Sequence, residues 1–595
     1  MFLDYDEKTG NITVRQEINE NFVDLQEKTG YDLCPKAKRG NYCVPFVAFP
    51  ILMKAIKKCE YPCVVSDNLK KFYSDFKARR EILRSLKERK FTEIGSESSQ
   101  FASDIDDIVS FIRTEEEKIK NNFSGFTGFY GNQIDTIIYG VIGKRVVIAN
   151  DIGTGKTLVS ILIAKYFMER KGMGKTLIML PASLAKNFYE DYNKFYKDHE
   201  MLLVGSETRD RRFGLYQTFR NCQNVKFLIT NYEKCRIDSD ELSRMSFDIV
   251  IVDEFHKMKN FKEAEMSKNF FMLVKDKWKP KCVFPMSGTP IENRLLDIFP
   301  VFKLVDGGHI LGGEKFFDNN FIEYEQKSLR IYNKYIGRYI EVSKKQPIGF
   351  KNHNYVKSLI EPYVIRKKLD LPAGLYRSDV MITPTKKFLE KYDDIKRSYE
   401  GSARYHAVRQ FLCVYDEDNP KFEELENIVS QTSSKVLIFS FYKCSIDATK
   451  EFLESKGYKC LTCMGGDGTD PLDVVKQFRD DKDVKCLITT DKINYGHNIQ
   501  FAKIIIEWEK PIKPTTSMQR IGRCYRSGQQ DDVHAYAFVV KGTVEEVIHD
   551  QLEIKKDVIE KVIESLSDGN SDTELDGVEN DIKKAVMKSL NINLE

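Results

Sequence analysis

Residues Val146 to Thr157, Val-Val-Ile-Ala-Asn-Asp-Ile-Gly-Thr-Gly-Lys-Thr, constrain this chain more than any other stretch. The β-branched run predicts a buried strand, the glycines permit a tight turn, and the apolar run Leu158 to Phe167 predicts the helix that follows. In that geometry the backbone N–H groups of Gly153, Thr154 and Gly155 and the positive helix end face an anion. Lys156 then reaches terminal phosphates, and the Thr157 hydroxyl can ligate magnesium. A plain glycine turn before a basic helix would look the same in isolation. Downstream, however, Asp248 to Val252 predicts a second buried strand that delivers Asp253-Glu254-Phe255-His256 at its carboxyl end. Asp253 suits the metal and Glu254 suits the attacking water, the division of labour that phosphoryl transfer to water requires.

A chain of 595 residues exceeds one core, so three or four domains are expected. Lys and Arg number 93 against 89 Asp and Glu, so any nucleic-acid surface must come from local clustering rather than bulk charge. The amino terminus lacks a basic segment followed by an apolar run, and no uncharged apolar stretch reaches membrane-spanning length. A cytosolic or nuclear protein with mostly reduced cysteines is the expectation. Cys34, Cys43, Cys59 and Cys63 allow a zinc site or ordinary buried thiols. Cys460 and Cys463, three apart on an alternating strand, should point to opposite faces.

Residues 1–92 read as a small α+β substrate-recognition domain with strands at Asn11 to Arg15 and near Val44. Its helix Phe72 to Lys90 is crowded with Lys77, Arg79, Arg80, Arg84, Lys87, Arg89 and Lys90, which either track a phosphate backbone or form a solvated charged face. Residues 93–125 form a polar linker and a lead-in helix. Residues 126–294 form a first lobe, in which Gln133 either reads the adenine edge of a nucleotide or caps a helix. Strands ending near Ser183, Thr230 and Ser287, with Thr289 beyond, alternate with helices, which implies a parallel sheet whose ligands gather at the strands' carboxyl ends. Residues 295–432 read as helical insertions without a strand repeat and include the basic Ile365 to Lys368. Residues 433–545 repeat the α/β pattern without a phosphate loop, and residues 546–595 read as C-terminal helices around a loop at 567–572. Gln519, Arg523 and Arg526, spaced by four and three, share one face if helical. They then meet the terminal phosphate from across a cleft, or else form surface salt bridges.

In this order the blocks resemble the Swi/Snf family of superfamily 2 helicase-like ATPases over residues 126 to 560. Ala149 to Thr157, Asp253 to Asn260 and Met286 to Asn293 resemble the family's first three motifs. Val436 to Phe441, Thr489 to Gln500 and Gln519 to Gln529 resemble the last three. The resemblance implies an α/β fold with two RecA-like lobes, ATP and Mg2+ between them, and duplex DNA across both. It implies catalytic roles for Lys156, Asp253, Glu254, His256, Arg523 and Arg526, and nucleotide contacts that include Gly496 and Gln519. Contacts to DNA are implied for Ser183, Thr230, Asn231, Ser287, Thr289, Arg366, Lys367, Ser440, Thr489 and Asn498. The lack of a large insertion in the second lobe argues against a nucleosome remodeller.

Gly349 to Asn352 and the amino-terminal domain are loosely similar to the HepA-related annealing-helicase branch, which implies branched or forked DNA as partner. The usual tryptophans are missing there, and only Tyr31-Asp32 and Val44-Pro45 remain. Phe255 stands for the family's alanine, and Glu507 to Pro511 replaces its aspartate and tryptophan. The expected activity is that of an ATP-dependent duplex-DNA translocase, a monomer in the cytoplasm of a bacterial host if phage-encoded, or in a nucleus. A strand-separating DNA or RNA helicase and a nucleotide-gated scaffold are the rival readings.

Overall fold

Runs of five apolar residues with no polar alternation form strands only where both faces of a sheet are covered. Such runs set the first lobe in the structure, a computed structural model that describes residues 1–7, 9–15, 25, 27–33, 36–38, 41–88, 102–258, 264–288, 298–306, 309–333, 338–369, 371–414, 419–465, 468–493, 498–554 and 575–590. Among these residues the strands are β1 (Phe2–Asp6), β2 (Asn11–Arg15), β3 (Lys36–Lys38), β4 (Asn41–Pro45), β5 (Val64–Val65), β6 (Val147–Ile148), β7 (Thr176–Leu180), β8 (Met201–Val204), β9 (Phe227–Asn231), β10 (Ile249–Asp253) and β11 (Cys282–Met286). They continue as β12 (Ile322–Asn333), β13 (Arg338–Phe350), β14 (Val364–Ile365), β15 (Leu375–Ile382), β16 (Lys435–Phe439), β17 (Lys459–Cys463), β18 (Val484–Thr489), β19 (Ala502–Glu507) and β20 (Val533–Val540).

Lobe 1 is a parallel sheet in the order β14-β6-β11-β10-β7-β9-β8, and lobe 2 a parallel sheet in the order β15-β20-β19-β16-β18-β17. The expected pair of α/β lobes is therefore present. Each lobe takes its edge strand from the stretch between them. β14 lies beside β6, with Ile365 opposite Ile148, and β15 pairs with β20 over eight positions. The expectation that 295–432 holds no strands is corrected, because a third sheet, the antiparallel ribbon β12–β13, also lies there. A two-residue strand and a charge-rich ribbon carry too little apolar alternation to be read from sequence.

The amino-terminal sheet, in the order β3-β4-β2-β1-β5, shares one hydrophobic core with lobe 1. Tyr5 stacks on Phe72 at 3.9 Å, and its hydroxyl pairs with His309 Nε2 at 2.8 Å, while Tyr355 donates to the Val47 carbonyl. The helix Asp67–Glu88 lays its cations on lobe 1. Arg79 donates to the Gly143 carbonyl, Arg80 to that of Ser358, and Arg84 and Lys87 to Glu361. These side chains are occupied within the protein, which decides against a phosphate-tracking role for that face. Burial alone would raise the Glu361 carboxyl, but the Lys87 and Arg84 pairs overcome it and hold the group below the usual carboxylate range.

In lobe 2, Cys460 and Cys463 join clusters on opposite faces of the sheet, as the strand spacing requires. Of the amino-terminal quartet, Cys43, Cys59 and Cys63 are free thiols, and Cys34 lies outside the described residues, as does the loop expected at 567–572. The helices Val544–Ile554 and Leu575–Ser589, one on each side of it in sequence, pack on each other. Lys421, fully buried on the helix Pro420–Ser430, bonds the Trp508 carbonyl at 2.8 Å and Glu545 at 2.5 Å, which ties that helix to the end of β19 and to the helix after β20.

Lys421→Ala should strand the Glu545 carboxylate in the core and cost about 3–5 kcal/mol in chemical denaturation, with much of the loss recovered in Lys421→Met/Glu545→Leu. Glu361 is depressed, so its pairing contributes stability that is present above the unfolded carboxyl value and lost as pH falls through the folded one. Glu361→Gln should flatten the acid limb of the stability profile while lowering stability near neutrality.

Candidate active site

The phosphate loop forms where the two-residue strand β6 gives out. Gly153 and Gly155 hold φ of +87° and +80°, conformations that side-chain-bearing residues rarely adopt. Gly155 is the N-cap of the helix Lys156–Lys171 and supplies no side-chain acceptor, so the first-turn N–H groups are left to an anion. Lys156 Nζ rests on the carbonyls of Asn150 and Asp151 at 2.8 and 3.0 Å. Burial pushes its ammonium below the usual lysine range, and the nearby Glu254, Asp253 and Asp151 oppose that shift. This cationic cradle at a helix N-terminus, with Thr157 and Asp253 as oxygen donors, fits a nucleoside triphosphate with magnesium.

The next two strands of lobe 1 bring the water-activating side. Asp253 ends β10, and the Glu254 N–H donates to its Oδ1 at 3.0 Å. Glu254 holds φ of +50°, a strained value for a non-glycine residue, and strain of this kind collects at sites where a side chain must be aimed. Ser287, one residue beyond β11, donates to Glu254 Oε2 at 3.1 Å, so adjacent strands fix this carboxylate. Tyr232 donates to the Asp253 carbonyl from the end of β9.

Lobe 2 closes directly on the loop. The Ser527 N–H donates to the Gly153 carbonyl at 2.8 Å, and a Cβ placed on Gly153 would lie 2.9 Å from the Arg526 Cα. Ile152 wedges between Gly288 of lobe 1 and Gly522 of lobe 2, where added Cβ atoms would come within 2.5 and 2.4 Å of its side chain. Burial lowers the Arg526 guanidinium, and Arg523 is 8% exposed, its charge near enough to Lys156 to lower that ammonium. Gln500 amide donations to the Arg526 and Ser527 carbonyls hold this arginine turn, as does Gln529 through the Gln500 and Cys524 carbonyls.

Several sequence expectations are corrected here. Gln519, Arg523 and Arg526 do not share a helix. The helix Pro514–Ile521 ends before Arg523, and a chain of turns brings both arginines to the loop, with Arg523 Nε on the Gln519 carbonyl. Arg366 and Lys367 are not free for DNA phosphates: they pair with Asp151 at 3.1 Å and Asp135 at 2.7 Å and extend β14 along the phosphate loop. Thr230, Ser440 and Thr489 are buried, with hydroxyls donating to the Val204 carbonyl, Glu509 and the Cys463 carbonyl, so they brace loops instead of facing a ligand. Ser287 serves Glu254 in the same way, and Asn231 is 6% exposed. Ser183 and Asn498 are exposed. Of its two expected roles, Gln133 takes the helix-capping one. It accepts from the Tyr130 N–H to cap its helix and donates to the Thr154 carbonyl across the loop. Thr289, Gly496 and the His256 side chain lie outside the described residues.

Sequence reasoning missed Ile152, whose role is visible only once both glycine neighbours are in place. It also missed Asp151 as the anchor of Arg366. Glu507, Trp508 and Glu509, where the sequence departs from the family's aspartate and tryptophan, are buried, with Glu507 raised by burial and Trp508 donating to the Cys413 carbonyl.

A model of the SNF2-related domain matches residues 65–376, and one of the helicase conserved C-terminal domain matches residues 420–528. The chain is 26% identical over 473 residues to the uncharacterized ATP-dependent helicase YqhH of Bacillus subtilis, covering 71% of this chain and 77% of that protein. It is 23% identical to the protein CHROMATIN REMODELING 5 of Arabidopsis thaliana, covering 71% of this chain and 26% of that protein. It is 24% identical to the DNA repair and recombination protein RAD26 of Saccharomyces cerevisiae, covering 70% and 45%. The chain thus spans most of the bacterial relative and less than half of these two eukaryotic ones. Among solved structures, the Sulfolobus solfataricus SWI2/SNF2 ATPase core in complex with dsDNA aligns with a TM-score of 0.35 at 18% identity, over 79% of this chain and 98% of that one.

Gly522→Ala should hinder closure by driving a methyl group into Ile152, and steady-state turnover should fall about tenfold or more with nucleotide affinity largely kept. Ile152→Ala in the same chain should restore part of the lost turnover, since the obstructing atoms are gone.

Proposed function

The chain belongs to the SNF2-related family, it is an ATP-hydrolysing enzyme of the helicase type, and from that premise we propose that it is a translocase on double-stranded DNA. The observation that carries this reading is the direct seat of the lobe 2 arginine turn on the phosphate loop, through Ser527 and Gly153. Two lobes that meet around such a loop open and close as the nucleotide comes and goes, and a track gripped by both lobes is then advanced in steps.

In this cycle Lys156 and the loop N–H groups bind the terminal phosphates, and Glu254, aimed by Ser287, orients the attacking water and takes up its proton. Arg523 and Arg526 neutralise the charge that develops on the phosphoryl oxygens. Thr157 and Asp253 would hold magnesium, which would supply Lewis-acid stabilisation of negative charge at the phosphates. Contacts to the track are mainly to phosphates, with little sequence preference and marked salt sensitivity. We assign the enzyme to the remodelling of forked or branched DNA in repair or recombination, acting as a monomer in the cytoplasm. The name of the yeast relative, a repair and recombination protein, supports the repair or recombination part of that assignment.

Side-by-side ATPase assays with duplex DNA, single-stranded DNA and RNA test the track, and duplex should stimulate most. Preferential stimulation by single strands or RNA would replace this reading with that of a strand-separating or RNA-directed helicase. Lys156→Ala and Glu254→Gln should each lower turnover by about a thousandfold with the thermal midpoint little changed, Glu254→Gln retaining nucleotide binding.

A further inference from the structure

At the end of lobe 1 away from the nucleotide loop, where β6 and β11 begin, lies a cavity of about 270 Å³. A strand of five residues, the length of β11, sets it roughly 17 Å from the carboxyl ends that carry Ser287 and the phosphate loop. Arg145, Lys275, Lys279 and Lys303 line it, against Asp306 as the one carboxylate among the described residues. Arg145 puts its donors on the backbone, with Nε on the Val305 carbonyl and Nη1 on that of Pro280, both at 2.5 Å, and Nη2 on that of Leu304 at 3.1 Å. It thus caps the negative end of the helix Ile298–Asp306, which would otherwise repel an anion. The Lys303 ammonium lies 5.7 Å from the centroid of Phe271, which forms a buried apolar wall with Val274 and Leu304.

The backbone around the cavity is irregular. The helix Glu265–Met272 widens into a π-helical turn, Leu273–Trp278, and Lys279 follows at φ of +46°, its N–H on the Val274 carbonyl at 3.0 Å. Such turns and such φ values at non-glycine residues collect at binding sites, and here they bring Lys275 and Lys279 to the cavity. Crowding like charges around a space partly closed to water is unfavourable unless an anion shares it. Burial lowers both the Arg145 guanidinium and the Lys303 ammonium; Glu314 opposes the shift of Lys303, and Lys275 adds to it. Four cations against one carboxylate leave a surplus of positive charge that suits a dianion. The volume falls just below the range of about 300–1,000 Å³ that takes drug-sized ligands, so the occupant is small. We propose that this cavity binds a small phosphomonoester, with its phosphate among Lys275, Lys279 and Lys303 and its organic body on Phe271, Val274 and Leu304. Such a site goes beyond the translocase reading and stands without it.

Phenyl phosphate titrated into the full chain, with the nucleotide site filled by saturating adenylyl imidodiphosphate and magnesium, tests this by ligand-observed NMR. It should bind about threefold or more tightly than inorganic phosphate, because the ring is buried as well. Lys303→Met and Lys275→Glu should each weaken it about tenfold or more, with ATPase activity of Lys275→Glu at the wild-type level. If Lys303→Met does not fold, Lys275→Glu, at an exposed position, decides alone. Wild-type affinity in the folded variants would overturn the proposal, as would loss of phenyl phosphate binding once the nucleotide analogue is present. Equal affinity for phenyl and inorganic phosphate would overturn it too, since the apolar wall would then contribute nothing.

Discussion

Asp151 is the point on which the nucleotide site depends. It lies inside the phosphate loop, yet its carboxylate is bound by Arg366, 215 residues further along, and its N–H donates to the Lys367 carbonyl. Asn150 accepts from the Lys367 N–H in the same register. A glycine-rich loop has high conformational entropy, and a cradle that must match phosphate oxygens cannot keep it. The strand β14 removes that freedom by pairing beside β6 and carrying its ladder into the loop. The segment that leaves lobe 1 for lobe 2 therefore completes the lobe it is leaving.

From this follows a consistent division of labour among the charged residues. Cations that look available for DNA in the sequence, such as Arg79, Arg84, Lys87, Arg366 and Lys367, are committed to the protein. They brace the amino-terminal helix, the approach to β14 and the phosphate loop into one body. The same holds for the hydroxyls at the strand ends, most of which tie a loop to its neighbouring strand. What is left for chemistry is a short set of groups held from behind: Lys156 by carbonyls, Glu254 by Ser287, and the arginine turn by Gln500 and Gln529.

Local chemistry was legible in the sequence, because a phosphate loop, a strand-borne Asp-Glu pair and buried apolar runs are written in adjacent residues. So were the two parallel sheets, since their inner strands, such as β7, β10, β16 and β19, are nearly continuous apolar runs. The edge strands drawn from between the lobes were not legible: β14 has two residues, and its place is set by a partner more than two hundred positions away. The spacing of Gln519, Arg523 and Arg526 fitted a helix, but Gly522 ends it, and turns carry the arginines inward. Ile152 looked like one more apolar residue, and its function as a wedge depends on the absence of side chains at Gly288 and Gly522. Negative space of that kind leaves no mark in a single sequence.

The shared core of the amino-terminal domain and lobe 1 has a consequence for biosynthesis. Tyr5 meets His309 across 304 residues. At about 5–20 residues per second, roughly 15–60 s pass between the emergence of one and the arrival of the other. Over that interval the first sheet stands on the ribosome with an apolar side uncovered, so the nascent chain passes through a period of exposure in which chaperone capture competes with sticking to its neighbours.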